Sequence, residues 1–182
     1  MSILAVEAGA GAPDIVNAVI EIPAAGAPVK YEMDKATGTL RVDRILFTSM
    51  SYPCNYGYVP GTLAGDGDPI DILLITPVPL LAGVVIACRP VGLLQMHDEH
   101  GQDWKVLAVP IDTVCAFYRH VQEPDDLPRA QLDQIVHFFQ HYKELEPNKF
   151  VNVTGWLGAD AARREIGAAL ANYRDGRDQA SR

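Results

Sequence analysis

An apolar run, ILLITPVPLLAGVVIAC, spans residues 72 to 88 and restricts the fold more than any other stretch. In length it approaches a membrane-spanning helix, which needs about 20 apolar residues. Pro77, Pro79 and Gly83 interrupt it. A lipid-exposed helix tolerates such breaks poorly, because proline removes a backbone donor and no water replaces the lost partner. Two buried strands joined by a proline turn suit the same residues. The run therefore predicts β-structure in a hydrophobic core, and no membrane partner.

The rest of the chain extends that reading. VIEI (19–22), VKYEMD (29–34) and TLRVDRIL (39–46) read as strands, with KATG as the hairpin turn between the last two. ILLITP, GVVIACRPVGLLQM and WKVLAVP continue the series, and HDEHGQD forms a polar tip before the last of these. Short strands between Gly/Pro turns predict a closed or nearly closed barrel.

The period then changes. In LPRAQLDQIVHFFQHYKEL, the residues Leu132, Ile135, Val136, Phe139 and Tyr142 recur at helical spacing, and Pro147 is expected to end that helix. FVNVTGW reads as a strand. ADAARREIGAALANYR reads as a second helix with Ala162, Ile166, Ala169, Leu170 and Tyr173 on its apolar side and Asp160 as N-cap. Residues 1–13 are expected to lie loosely over the surface, and the tail DGRDQASR to fray. No repeat or linker divides the chain, so residues 1–182 are expected to form a single domain.

Composition sets the remaining bounds. Hydrophobic residues make up 48% and charged residues 21%, which argues against disorder. The formal net charge of −8 disfavours a nucleic-acid partner, which requires a basic face. It does not exclude anionic substrates, because clustered carboxylates can hold metal ions that reverse the local sign. Cys54, Cys88 and Cys115 are an odd number without metal-ligand spacing, which predicts a reduced, intracellular protein. MSILAVEAGAGAP has no basic n-region, so no secretory signal is expected.

The chemistry concentrates in GDGDPID, residues 65–71. Asp66 and Asp68 point the same way in an extended segment, and a bend at Pro69 brings Asp71 toward them. Like charges 4 Å apart repel by roughly 4 kcal/mol at an effective dielectric of about 20. Converging acids therefore take up protons or bind cations, and oxygen-only ligands favour Mg2+, Mn2+ or Ca2+. A solvated acidic turn is the plain alternative. An EF-hand is excluded by spacing, because Asp71 and Pro77 stand where its Gly and Glu belong.

Further charged residues accompany the cluster. Asp98, Glu99 and Asp103 surround the polar tip, and a hairpin there would make Asp98 and Asp103 cross-strand neighbours. Alternation places Asp103 with Lys105, and Lys30 with Glu32, while Glu21 sits within a strand. Arg44, Tyr52, Tyr56, Tyr142 and Lys143 add cations and phenols. Each has an ordinary structural explanation as surface charge or packed aromatic. Together they supply what phosphate chemistry uses: acids for metals, cations for phosphoryl oxygens, phenols as donors.

GDGDPIDIL is similar to the signature of the family I soluble inorganic pyrophosphatases. VIEIPA, KYE, the DR of VDRIL, YPCNYGY, CRPVG, HDEHGQDWK, LAVP and HFFQHYK resemble blocks of bacterial members in the same order, over roughly residues 4–175. The resemblance implies a mainly β fold with α: a five-stranded OB-like closed barrel with two main C-terminal flanking helices. It implies Mg2+-dependent hydrolysis of inorganic diphosphate to two orthophosphates in the cytoplasm by a homohexamer, with Mn2+ or Zn2+ as substitute metals. It implies metal ligation by Asp66, Asp71, Asp98 and Asp103, with Glu21 and Glu32 contributing, and Asp68 as general base. It implies substrate contacts from Lys30, Arg44, Tyr56, Lys105, Tyr142 and Lys143, with Tyr56 also catalytic; Tyr52 and Glu99 match further active-site positions.

His137 and His141 lie four apart on the long helix, but HFFQH lacks the Glu of a zinc protease motif. The resemblance implies a subunit contact for them. Trp104 and Trp156 read as packing or interface residues, and the cysteines as small buried hydrophobes. The alternative function is a non-catalytic anion- or oligonucleotide-binding barrel, which the fold alone permits.

Overall fold

The computed structural model describes residues 3–180. Its elements run β1 (Val16–Ile22), β2 (Val29–Asp34), β3 (Thr39–Ile45), β4 (Asn55–Tyr58), β5 (Asp71–Leu74), β6 (Val85–Asp98), β7 (Gly101–Gln102), β8 (Lys105–Pro110), α1 (Arg129–His141), β9 (Val151–Gly158) and α2 (Ala159–Ala180). The apolar run of residues 72–88 does become two strands, β5 and the start of β6, and no helix among the described residues is long and apolar enough to cross a membrane.

Five strands close a ring. β1 pairs with β4, β4 with β5, β5 with β8 in parallel, β8 with β6, and β6 returns to β1. The expected five-stranded closed barrel is therefore formed, which leaves no edge among these strands. The 14-residue β6 outlasts the ring. Beyond its β1 pairing at Val85–Cys88 it carries β9 along Gly92–Asp98.

Alternation along the strands feeds two apolar cores. Leu73, Leu94 and Leu107 join Ile135, Phe138 and Phe139 of α1. Their neighbours Ile72, Leu74, Leu93 and Val106 join Ala162, Ile166 and Ala169 of α2. Each fully buried side chain of this size contributes about 1.5–3 kcal/mol. β2 and β3 form a separate hairpin, turned by Gly38 at φ +68° and by Asp34, whose carboxylate accepts the N–H groups of Ala36 and Thr37.

Several expectations are corrected. No strand is predicted at NYGY, yet β4 lies there, because Gly57 masks the pattern while admitting the neighbouring backbone. A Cβ on Gly57 would stand 1.9 Å from the Val19 carbonyl oxygen. Asp98 pairs with Gly101, so Asp98 and Asp103 are not cross-strand partners; Asp103 N–H instead bonds the Met96 carbonyl at 3.0 Å. α1 stops at His141, well before Pro147, as three-residue bonds at Glu144 and Glu146 tighten the chain.

Near both termini the described residues are more ordered than expected, and residues 1 and 2 lie outside them. Ala8 is buried and its carbonyl accepts the Asn17 N–H at 2.7 Å. Residues 175–180 continue α2, and residues 181 and 182 lie outside the described residues. Asp160 sits inside the first turn of α2, paired with Arg163. The Glu123 carboxylate accepts the Ala159 N–H at 2.9 Å and takes the capping role from a distant segment.

Candidate active site

One side of the ring opens into a cavity of about 350 Å³, and most of the predicted site residues meet in it. Its wall includes Glu21, Lys30 and Glu32 from β1 and β2, Tyr52 and Tyr56, and Asp66, Asp68 and Asp71 from the acidic loop. Asp98, Asp103, Lys105, Tyr142 and Lys143 complete the set. Arg44 and Glu99 do not line it.

Each acid has a local reason for its position. Glu21 falls where the β1–β4 register slips between Ile20 and Ile22, a bulge that re-aims its side chain. Its Oε1 accepts the Met33 N–H at 2.7 Å. Burial pushes the Glu21 carboxyl up to about 7, against the Met33 bond and with added repulsion from Asp71 and Glu32. In the GDGDPID loop, Gly67 takes φ +91° and Asp66 accepts the Asp68 N–H at 3.0 Å. That turn presents Asp66 and Asp68 before β5 begins at Asp71. Desolvation by neighbouring atoms pushes the Asp66 carboxyl up, with repulsion from Asp71 and Asp68 adding to it.

Lysines stand among the acids. The parallel pairing of β5 with β8 sets Lys105 opposite Asp71, and alternation sets Asp103 on the same face. Lys105 Nζ lies 2.7 Å from Asp71 and 2.8 Å from Asp103, and it is buried. Burial favours the neutral amine, but the two carboxylates override it and raise Lys105 well above the ordinary lysine range. Lys143 Nζ lies 2.8 Å from Asp98. Burial opposes ionisation of Asp98, yet the Lys143 bond holds that carboxyl below its usual range.

The phenols form the floor. Tyr52, Tyr56 and Tyr142 pack with Phe138 and Phe139, with Tyr52 and Phe138 centroids 4.5 Å apart. Burial raises all three hydroxyls, Tyr52 and Tyr56 well above the ordinary range, with the Asp71 charge adding at Tyr56. They remain neutral donors at physiological pH.

The structure adds residues that sequence reasoning missed. Lys35, in the β2–β3 turn, reaches Asp68 at 2.5 Å. That contact spans 33 residues, so no local pattern marks it. Tyr58, His100, Gln102 and Phe139 also line the cavity. Tyr58 was accessible through its alternation with Tyr56.

Among the described residues, no three acids, histidines or cysteines converge closely enough to hold a metal ion as they stand. Ammonium groups occupy the spaces between carboxylates instead. Lys105 bridges Asp71 and Asp103 as a stand-in cation, and the donors around it are oxygens. Such a set fits a hard divalent ion.

Comparison with known proteins agrees with this geometry. A family model described as inorganic pyrophosphatase matches residues 18–174. The inorganic pyrophosphatase of Escherichia coli (strain K12) is 53% identical over 170 residues, covering 93% of this chain and 97% of that protein. That of Xylella fastidiosa (strain 9a5c) is 49% identical over 175 residues, covering 96% and 98%. The crystal structure of inorganic pyrophosphatase from Thermus thermophilus superposes with a TM-score of 0.90 at 42% identity, covering 96% of this chain and 99% of that one.

Proposed function

The chain belongs to the inorganic pyrophosphatase family and hydrolyses inorganic diphosphate to two orthophosphates, and from that premise we propose how its own residues do so. The observation that carries the reading is the single cavity in which carboxylates, lysines and phenols meet. Asp66, Asp71 and Asp103 would hold Mg2+, with Asp98, Glu32 and Glu21 contributing; Mn2+ or Zn2+ are the substitutes. Bound divalent ions neutralise phosphoryl oxygens and make water acidic enough to act as a nucleophile at neutral pH.

Asp68 is the general base. It stands exposed at the loop tip, held by Lys35, and its second oxygen is free to accept a proton. Water oxygen bonds to phosphorus, the bridging P–O bond breaks with its electron pair, and the proton of the water passes to Asp68. Orthophosphate is itself the leaving group, so no covalent enzyme intermediate is required. Lys30, Lys105 and Tyr56 cover charge on one phosphoryl group, and Arg44, Tyr142 and Lys143 hold the other. Tyr56 donates from a fixed, desolvated hydroxyl.

We further propose that residues 1–182 act as one domain in the cytoplasm, and that subunits assemble as a homohexamer. His137 and His141, with ring centroids 4.5 Å apart at one end of α1, would lie at a subunit contact. Charging them in mild acid would then loosen the assembly. Sedimentation giving the same oligomer at neutral and mildly acidic pH contradicts this. The acidic cavity and family membership set aside the non-catalytic barrel.

Orthophosphate release from diphosphate tests the mechanism. Activity is expected with Mg2+ and lost with chelator. Asp68→Asn is expected to lower kcat by about 10²–10⁴-fold with metal affinity kept. Near wild-type turnover in that variant removes Asp68 from the role of base.

A further inference from the structure

Five buried side-chain polar atoms among the described residues have no hydrogen-bond partner, and four of them belong to one constellation: Arg44 Nε, both oxygens of Glu99, and Glu146 Oε1. None of these three residues lines the cavity itself, although Lys143, which does, lies 3.7 Å from Glu99. The centre of the constellation is Glu146, buried at 7% exposure, whose Oε2 accepts from Arg44 Nη1 at 3.1 Å. The partners are 102 residues apart. Arg44 lies on the β2–β3 hairpin, which shares no backbone ladder with the ring, and Glu146 lies just beyond α1.

The remaining charges around Arg44 give it no comparable anchor. Asp43 lies 3.4 Å from its Nε, without hydrogen-bond geometry, and also 3.3 Å from Lys30. Lys149 lies 3.3 Å from the same Glu146 oxygen, and 3.8 Å from Glu99. Among the described residues Glu146 therefore supplies the one hydrogen bond that ties this guanidinium to the body of the fold, and a buried carboxylate is a costly group to keep for packing alone.

We infer that Glu146 is a positioning residue for Arg44: it holds the guanidinium through Nη1, so that the other Nη donors of Arg44 meet a phosphoryl group without ordering a free side chain at binding. The inference rests on the assignment of Arg44 as a phosphoryl contact. Because Arg44 would serve ground state and transition state alike, losing its anchor weakens binding uniformly. Glu146 touches no substrate atom itself.

A double-mutant cycle with Arg44→Ala tests it, reading KM and kcat for diphosphate at saturating Mg2+ together with Tm. Glu146→Gln is expected to raise KM about five- to twentyfold with kcat within about threefold. In the Arg44→Ala background the same change is expected to move KM less than about twofold, while any purely structural loss of Tm persists in both backgrounds. Equal KM effects in both backgrounds overturn the inference and leave the assignment of Arg44 standing. An unchanged or lower KM in the single variant also overturns it, since removing an acid that merely repels diphosphate would tighten binding. If Arg44→Ala alone leaves KM unchanged, the inference falls together with its premise. Should Glu146→Gln not fold, Glu146→Asp runs the same cycle, because it keeps the charge and shortens the reach.

Discussion

Replacing Gly57 by alanine drives a methyl group into the backbone of the neighbouring strand. The added carbon would stand 1.9 Å from the Val19 oxygen, 2.8 Å from its carbonyl carbon and 2.9 Å from the Ile20 Cα, where ordinary contact begins near 3.4 Å. β1 and β4 must then part by about 1.5 Å, the difference between those first and last distances. Overpacking of this kind costs about 1–3 kcal/mol, and weakening two ladder hydrogen bonds adds about 1 kcal/mol each. The total of about 3–5 kcal/mol lowers Tm by about 6–20 °C in a chain of this size. The site should suffer too, since Ile20 opposite Gly57 precedes the Glu21 bulge and Tyr56 adjoins it. Circular-dichroism melts with diphosphate hydrolysis at 25 °C read both effects. Gly167→Ala, in α2 with open space around it, is the control, and should hold or slightly raise Tm. A Gly57→Ala protein melting within about 2 °C of wild type, with full activity, refutes the close-approach argument.

Two further predictions concern buried titratable groups. In metal-free protein, burial holds the Glu21 carboxyl at about 7 against an ordinary 4.5. The folded state thus keeps a proton between those values that the unfolded state has released, so stability falls as pH rises through the window, by about 3 kcal/mol. Urea unfolding of chelated protein at pH 5 and pH 8 should show Glu21→Gln gaining on wild type at the higher pH; parallel behaviour contradicts this. Cys54 and Cys88 are buried and their thiols are pushed up to about 12, whereas Cys115 is partly exposed. Iodoacetamide at pH 8 should modify Cys115 alone until urea is added, and rapid native labelling of two or three thiols argues against the described packing.

The parts of this molecule written in local patterns were legible before folding. The β2–β3 hairpin, the helical stripe of α1 and the Asp103–Lys105 pair follow from the periods of strand and helix. Contacts between distant segments were not. Lys35 on Asp68, Glu123 on the first turn of α2 and Glu146 on Arg44 join residues 33, 36 and 102 positions apart. β4 is hidden in the sequence because the glycine that allows its close pairing also removes the side chain that would advertise a strand. The acid cluster was visible as charge, but the bridge of Lys105 from Asp103 to Asp71 depends on the parallel register of β5 and β8. Charge density marked where the chemistry lies, and topology decided which groups meet there.

Bound divalent cations would be what lets these acids gather on one wall. Calorimetric titration of Mg2+ into the chelated wild type and Asp71→Asn tests this most directly. Asp71 contacts Lys105, the cation standing between it and Asp103. Saturable Mg2+ binding is expected in wild type and at least about tenfold weaker binding in Asp71→Asn, with Asp126→Asn, an exposed acid outside the cavity, unchanged. Equal Mg2+ affinity in all three proteins, or none in wild type, contradicts it.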